Sequence, residues 1–220
     1  MAKNDMMQDD FTREETWRVF RIMAEFVEGF ETLSKVGPAV SIFGSARIQR
    51  DDKFYKLTEK TAYLLAKAGY AVITGGGPGA MEAANKGARE ADGNSIGLNI
   101  QMPQEQRANQ YVKTLLDFHY FFCRKVMFVK YAKAFVIVPG GYGTMDELFE
   151  SMNLIQTERI GRFPVVLLGK DYWKGLIEWM KASVLENGCI SKEDLDIFQL
   201  VDTPEEALKI IKDFYKKKKK

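Results

Sequence analysis

The chain has 220 residues, of which 46% are hydrophobic, enough to bury the core of one sizeable α/β domain and little more. Two cysteines, Cys123 and Cys189, with no Cys-x-x-Cys spacing argue against a disulfide scaffold or a zinc site and fit a reducing compartment. The formal net charge of +2 comes from Lys216 to Lys220; without those five lysines 27 basic residues face 30 acidic ones, and a slightly acidic body argues against nucleic-acid binding.

Met1 to Asp10 is polar and reads as a disordered lead-in. Phe11 to Leu33 reads as a helix, with Thr12 and Glu15 at capping-box spacing and Trp17, Phe20, Met23, Phe26, Val27 and Phe30 in an aromatic stripe. That stripe covers either the domain core or an oligomer contact. Gly37-Pro38 closes the segment. Ala39 to Phe43 is the first strand and Gly44-Ser45 its turn. Asp51 to Ala68 is an amphipathic helix with Gly69 as its left-handed cap. Ala71 to Thr74 is the second strand, Gly75-Gly76-Gly77 its turn, and Pro78 suits the first turn of the next helix, which runs to Ala91.

Ser95 to Ile100 is the third strand. Gln101 to Gln110 is a polar loop, and Tyr111 to Phe118 is irregular or a short strand. Phe121 to Lys133 is helical. Phe135 to Val138 is the fourth central strand, followed by a helix from Thr144 to Gln156. Pro164 to Leu168 and Tyr172 to Leu185 form the next strand and helix. Phe198 to Val201 is a last short strand. Thr203-Pro204-Glu205-Glu206 opens the final helix with a cap, a proline and early acids. Alternating strands and helices imply parallel pairing with right-handed crossovers. The expected fold is α/β: a single doubly wound Rossmann-like parallel sheet with helices on both faces and an extra N-terminal helix. Residues 1–38 are then a tail and helix packed on the domain, 39–215 the nucleotide-binding domain, and 216–220 a solvated lysine tail. Six strands in the order 3-2-1-4-5-6 place the first and fourth side by side where the winding reverses, and ligands bind outside the carboxyl ends there. The turns at Gly44-Ser45, Gly75-Gly76-Gly77 and Pro139-Gly140-Gly141 converge on that place.

Phe135-Val136-Ile137-Val138 running into Pro139-Gly140-Gly141-Tyr142-Gly143-Thr144 is a buried strand, a glycine-rich turn and a helix start. Backbone N–H groups and a helix N-terminus make such a turn a phosphate cradle. Thr144 and Glu147 also have capping-box spacing, so Glu147 is either a structural cap or a functional acid. Gly75-x-Gly77-x-x-Ala80 fits a dinucleotide fingerprint formally, but it follows the second strand and lacks the distal acid, which leaves phosphate contact or tight packing. Glu82 is a first-turn acid that complements the helix dipole or reaches substrate hydroxyls. Arg124-Lys125 sits among apolar neighbours, either snorkelling or partnered. Tyr142 stacks on a base or packs over its loop. His119 is the only histidine and stands outside any catalytic set.

Pro139-Gly140-Gly141-Tyr142-Gly143-Thr144-Met145-Asp146-Glu147 resembles the signature of the Lonely Guy proteins, cytokinin riboside 5′-monophosphate phosphoribohydrolases often labelled possible lysine decarboxylases. Phe43-Gly44-Ser45-Ala46-Arg47, Gly75-Gly76-Gly77-Pro78-Gly79-Ala80-Met81-Glu82 and Arg124-Lys125 extend the likeness from about Ser41 to Gly169. The resemblance implies hydrolysis of the N-glycosidic bond of a purine nucleoside 5′-monophosphate, either AMP or a cytokinin-type nucleotide. Arg124 and Glu147 would be catalytic. The 5′-phosphate and the rest of the substrate would meet Gly44, Ser45, Gly76, Gly77, Met81, Glu82, Gly140, Gly141, Tyr142, Gly143 and Thr144, with Lys125 and Glu105 as secondary contacts. No metal or organic cofactor is implied, and a dimer or higher homo-oligomer is. No apolar run reaches membrane-spanning length and no leader-like segment opens the chain, so a cytoplasmic location is expected. Lysine decarboxylation is not expected, because His119 is followed by Tyr120 rather than by a Schiff-base lysine. The alternative function is a non-catalytic nucleotide-binding module.

Overall fold

Short β-branched runs, too short for helices, alternate with longer amphipathic segments, and the chain folds accordingly. The computed structural model describes residues 17–101 and 107–217. In chain order the elements are α1 (Arg18–Leu33), β1 (Ala39–Phe43), α2 (Lys53–Lys67), β2 (Ala71–Thr74), α3 (Ala80–Glu90), β3 (Ser95–Ile100), β4 (Thr114–Phe118), α4 (Phe121–Lys130), β5 (Ala132–Ile137), α5 (Tyr142–Gln156), β6 (Val165–Leu168), α6 (Lys170–Trp179), β7 (Phe198–Val201) and α7 (Pro204–Lys217). The seven strands pair in the order β4-β3-β2-β1-β5-β6-β7, every pair parallel. The winding reverses between β1 and β5, as the expected six-strand order requires. The seventh strand is β4, the irregular segment of the sequence. It extends the sheet beyond β3 as an edge, and its half-exposed pattern explains its weak signal.

Side chains alternate across the central strands and build two cores. Phe43, Phe135, Ile137, Val165 and Leu167 face one layer with Leu33, Met127, Phe128, Leu148 and Trp173 from α1, α4, α5 and α6. Val40, Ile42, Val136, Val166 and Leu168 face the other with Ala62, Leu65, Ala84, Ala88 and Ile211 from α2, α3 and α7. The small residues of α3 let it lie close on the sheet. Among the described residues no helix is long and apolar enough to cross a membrane.

Several boundaries differ from expectation. α5 starts at Tyr142 with Gly141 as its N-cap, two residues before Thr144. Thr144 is therefore the third helical residue and Glu147 the sixth, so no capping box forms there. The capping box is at α7 instead, where Glu206 N donates to Thr203 Oγ1 at 3.3 Å and Thr203 N to Glu206 Oε2 at 3.1 Å. α3 starts at Ala80, so Pro78 lies before the helix rather than in its first turn. α4 ends at Lys130 and, after Tyr131, β5 begins at Ala132, which lengthens the fourth central strand toward its N-terminus. α6 passes into a π-helical turn over Met180–Leu185. α7 takes Lys216 and Lys217 into its last turn, where cations complement the dipole, so the lysine tail begins later than position 216. Thr12, Glu15 and Lys218 to Lys220 lie outside the described residues.

Candidate functional site

Parallel topology brings the turns after β1, β2, β5 and β6 to one end of the sheet. Backbone hydrogen bonds then tie the first three together. Ser45 N donates to Pro139 O at 3.0 Å, and Ala80 N donates to Ser45 O at 3.0 Å. Two glycines make this proximity possible. Gly79 has φ +67°, and a Cβ there would meet the Ser45 and Ala46 backbone at 2.5–2.8 Å. A Cβ on Gly140 would run into Thr144 Oγ1 and come within 2.9 Å of Ser45 N. The sequence pays for this closeness with glycine at both places.

The turns wall a cleft of about 780 Å³, ample for a nucleotide. Gly44, Ser45, Gly140, Gly141, Gly143 and Thr144 line it with the N-terminus of α5. Gly141 offers no side-chain cap, so the first N–H groups of that helix are left for another acceptor. Phe43, Met81, Ile100, Phe121 and Phe128 add an apolar lining.

Arg124 and Glu147 line the same cleft from α4 and α5. Ser41 Oγ, buried on β1, donates to Phe128 O at 3.1 Å and fixes α4 against the centre of the sheet. Glu25 of α1, also buried, accepts the N–H groups of His119 and Tyr120 at 2.8 and 3.3 Å and holds the start of α4. Arg124 is thus set on a helix anchored at both ends. Its guanidinium lies 5.1 Å from the Phe121 ring centre and 5.7 Å from that of Phe128. Glu147 is only 6% exposed. Among the described residues neither Arg124 Nε nor Glu147 Oε2 has a hydrogen-bond partner. Burial pushes the Glu147 carboxyl up to about 7, against the opposing charges of Lys125 and Arg124. Burial also lowers the Arg124 pKa, opposed by Glu147 and Asp146. A buried acid and a half-buried arginine that leave buried polar atoms unmet and line one cavity are arranged for a ligand that supplies the missing partners.

Of the residues singled out in the sequence, Gly44, Ser45, Met81, Arg124, Gly140, Gly141, Tyr142, Gly143, Thr144 and Glu147 line this cleft. Tyr142 stands 97% exposed at its mouth. Gly76 and Gly77 do not line it. Their turn folds inward: Gly76 N donates to Thr74 Oγ1 at 2.9 Å, and Asn109 Nδ2 donates to both glycine carbonyls at 3.0 Å. Gly75 faces the cleft in their place. Glu82 turns to a neighbouring hollow, where it accepts from Arg50 at 2.6 Å and Tyr55 Oη at 3.1 Å. Lys125 points away to Asp146 and Glu150 of α5, at 2.8 and 2.7 Å. Glu105 lies outside the described residues. Sequence reasoning missed Phe121 and Phe128, read only as apolar neighbours of Arg124-Lys125, and Tyr172, which reaches the cleft from α6. The strand order was the available signal for Tyr172, since the turn after β6 must adjoin the turn after β5.

With this geometry in view, comparisons with known proteins bear on identity. The family described as possible lysine decarboxylase matches residues 81–211, more than half of the chain. Over 148 residues the chain is 30% identical to the cytokinin riboside 5′-monophosphate phosphoribohydrolase LOG3 of Arabidopsis thaliana, covering 65% of this chain and 66% of that one. The match therefore spans just under two thirds of the plant relative. It is 26% identical over 159 residues to the cytokinin riboside 5′-monophosphate phosphoribohydrolase of Mycobacterium tuberculosis, covering 70% of this chain and 83% of that one. The molybdenum cofactor binding protein of Rippkaea orientalis shares the fold, with a TM-score of 0.60 at 20% identity over 81% of this chain and 97% of that chain. The seven-stranded parallel sheet, the glycine turns at its switch point and these matches agree: the chain belongs to the possible lysine decarboxylase family, that of the Lonely Guy proteins.

Proposed function

We propose that this protein hydrolyses the N-glycosidic bond of a purine nucleoside 5′-monophosphate, releasing the free base and ribose 5-phosphate. The observation that carries this reading is the buried Glu147 carboxyl and the half-buried Arg124 guanidinium lining one cleft together with the N-terminus of α5. Relatives that cleave cytokinin riboside monophosphates support it. In this scheme the α5 N-terminus, Thr144 and Ser45 take the 5′-phosphate. The purine lies toward Phe121, Phe128 and Met81. As the C1′–N bond breaks, its electron pair leaves with the base and positive charge grows on the ribose. The Glu147 carboxylate stabilises that charge and takes a proton from the water that adds to C1′. Arg124 donates hydrogen bonds to the departing base, which finally takes up the released proton.

Lysine decarboxylation fits this cleft poorly. Among the described residues that line it there is no lysine. Burial acts to lower the pKa of neighbouring Lys125, but Asp146 and Glu150 outweigh it and hold the ammonium above its usual value, the reverse of an activated amine. The working form is proposed to be a homo-oligomer, because α1 and α4 carry exposed apolar side chains. The test is incubation with AMP and with isopentenyladenosine monophosphate. Free base and ribose 5-phosphate in equal amounts are expected from at least one. Binding of both without release of base would defeat the reading and leave a nucleotide-binding module.

A further inference from the structure

We infer that Tyr172 is a positioning residue of the anion site: its hydroxyl locks the Gly140–Gly141 peptide in the one orientation that can receive a phosphate. The inference rests on the phosphate-binding reading of the α5 N-terminus given above.

Tyr172 Oη donates to Gly140 O at 2.6 Å, across 32 residues of sequence. Both residues line the cleft. The link is built from the fold upward. β6 lies beside β5, so the turn that opens α6 adjoins the turn that opens α5. α6 itself is firmly seated. Gly169 N donates to Val201 O at 2.8 Å. Lys170 N donates to Asp202 Oδ1 at 2.8 Å. Trp173, fully buried, donates Nε1 to Leu168 O at 3.2 Å and packs edge-on against the Tyr172 ring at 5.0 Å. Tyr172 is therefore a fixed post rather than a swinging side chain.

The peptide it holds needs such a post. Gly140-Gly141 has no Cβ on either side of the shared peptide, so steric barriers to rotating that unit are low. The trans peptide sets its C=O and N–H in opposite directions. A rotation would exchange Gly140 O for Gly141 N–H and place a carbonyl dipole, rather than a donor, against the anion. No side chain caps this helix start from Gly141. Pro139 O is already engaged by Ser45 N. The Tyr172 hydroxyl gives the next carbonyl its partner. A phenol has one hydrogen to donate, and Gly140 O receives it, so Tyr172 acts on the anion through the loop.

The experiment compares wild type with Tyr172→Phe, which removes only the hydroxyl, by calorimetric titration with ribose 5-phosphate, adenine and AMP. Wild type is expected to bind ribose 5-phosphate. Y172F should lose about threefold to tenfold in affinity for ribose 5-phosphate and AMP, the worth of one hydrogen bond, with adenine affinity unchanged. A merely structural role would weaken all three ligands together. Equal ribose 5-phosphate binding by Y172F and wild type would overturn the assignment. So would an equal loss on adenine, which would make Tyr172 part of the base pocket. Tyr172→Met, which also removes the ring, should lose no more ribose 5-phosphate affinity than Y172F; a larger loss would show that the ring, not the hydroxyl, holds the loop. Failure of wild type itself to bind ribose 5-phosphate would refute the phosphate reading instead.

Discussion

Glu147 sits where a carboxylate is costly, and the cost can be read as a dependence of stability on pH. Its folded pKa, about 7, lies above the ordinary 4.5 because burial disfavours the charge. A carboxyl shifted upward holds its proton more tightly in the native state than in the unfolded chain. Stability is therefore untouched below about pH 4.5, falls as pH rises from there to about 7, and stays lower above. The gap corresponds to roughly 3 kcal/mol at alkaline pH. Glu147→Gln removes the ionisation and should therefore raise the melting temperature at pH 8, by up to roughly 10 °C, with no gain at pH 4. Turnover of the same variant should fall by about two to three orders of magnitude, the loss typical of an electrostatic stabiliser. The wild-type rate should fall on the acid side with a midpoint near 7, because the carboxylate is the working form. Differential scanning calorimetry at the two pH values and single-turnover release of adenine check these outcomes. A variant that is active, or that is no more stable at pH 8, would show that Glu147 carries no buried charge of consequence. A residue that destabilises its own helix to serve a cleft is the opposite of a cap, which is what its spacing from Thr144 suggested.

At the scale of elements, α4 and α5 carry the two central side chains, and Lys125 joins them. With only 17% of its side chain exposed, it binds Asp146 and Glu150 on α5, and its charge draws the Glu147 pKa down. Lys125→Met keeps the apolar stem and removes the charge. The acid limb of the pH–rate profile should then move to higher pH, while affinity for ribose 5-phosphate stays as in wild type. An unmoved limb would show that Lys125 merely braces the helices, and a loss of ribose 5-phosphate affinity would return it to the binding surface. The sequence announced β1, β2, β3 and β7 to the residue, since each is a short run, mainly apolar or, in β3, alternating, between breakers. It left β4 open between irregular chain and a short strand, because Thr114 and Asp117 interrupt the apolar run and Leu115 and Asp117 are exposed. It also misplaced the start of α5, because Gly-Tyr-Gly reads as turn. Tyr142 and Gly143 are helical here, with Gly141 as the cap, because the preceding turn is pinned to Ser45. The cleft itself was legible in the three glycine turns and the strand order. The outward ties of Glu82 and Lys125 were not, since the choice between a ligand and a protein partner depends on three-dimensional neighbours such as Arg50, Tyr55 and Glu150.

At the scale of the whole molecule, α1 has two apolar faces and a monomer covers one. Ile22, Phe26 and Leu33 pack on the core, and Gly29 lets Met127 of α4 come close. On the outer side Trp17, Phe20, Met23 and Val27 recur at three- and four-residue spacing, with Trp17 77% and Val27 63% exposed. A stripe of this length on the surface is expected to meet another protein surface. We propose a second copy of the chain as that surface, because the charges beside the stripe are self-complementary. Arg21 lies toward one end, Glu28 and Glu31 toward the other, all exposed. Two α1 helices crossing antiparallel about a two-fold axis near position 24 would set each Arg21 beside the partner's Glu28. Light scattering at micromolar concentration should give twice the chain mass. Phe20→Glu with Val27→Glu should give the single-chain mass with little change in melting temperature, since neither side chain belongs to the core. A wild-type monomer would refute the pairing, and a double variant that stays dimeric would move the contact to Phe122 and Val126 of α4. The charges allow a sharper test. Arg21→Glu alone should weaken the dimer by placing like charges together. Adding Glu28→Arg restores opposite charges in an antiparallel pair and should recover most of the loss. In a parallel pair each residue meets its own copy, so the second substitution would recover nothing.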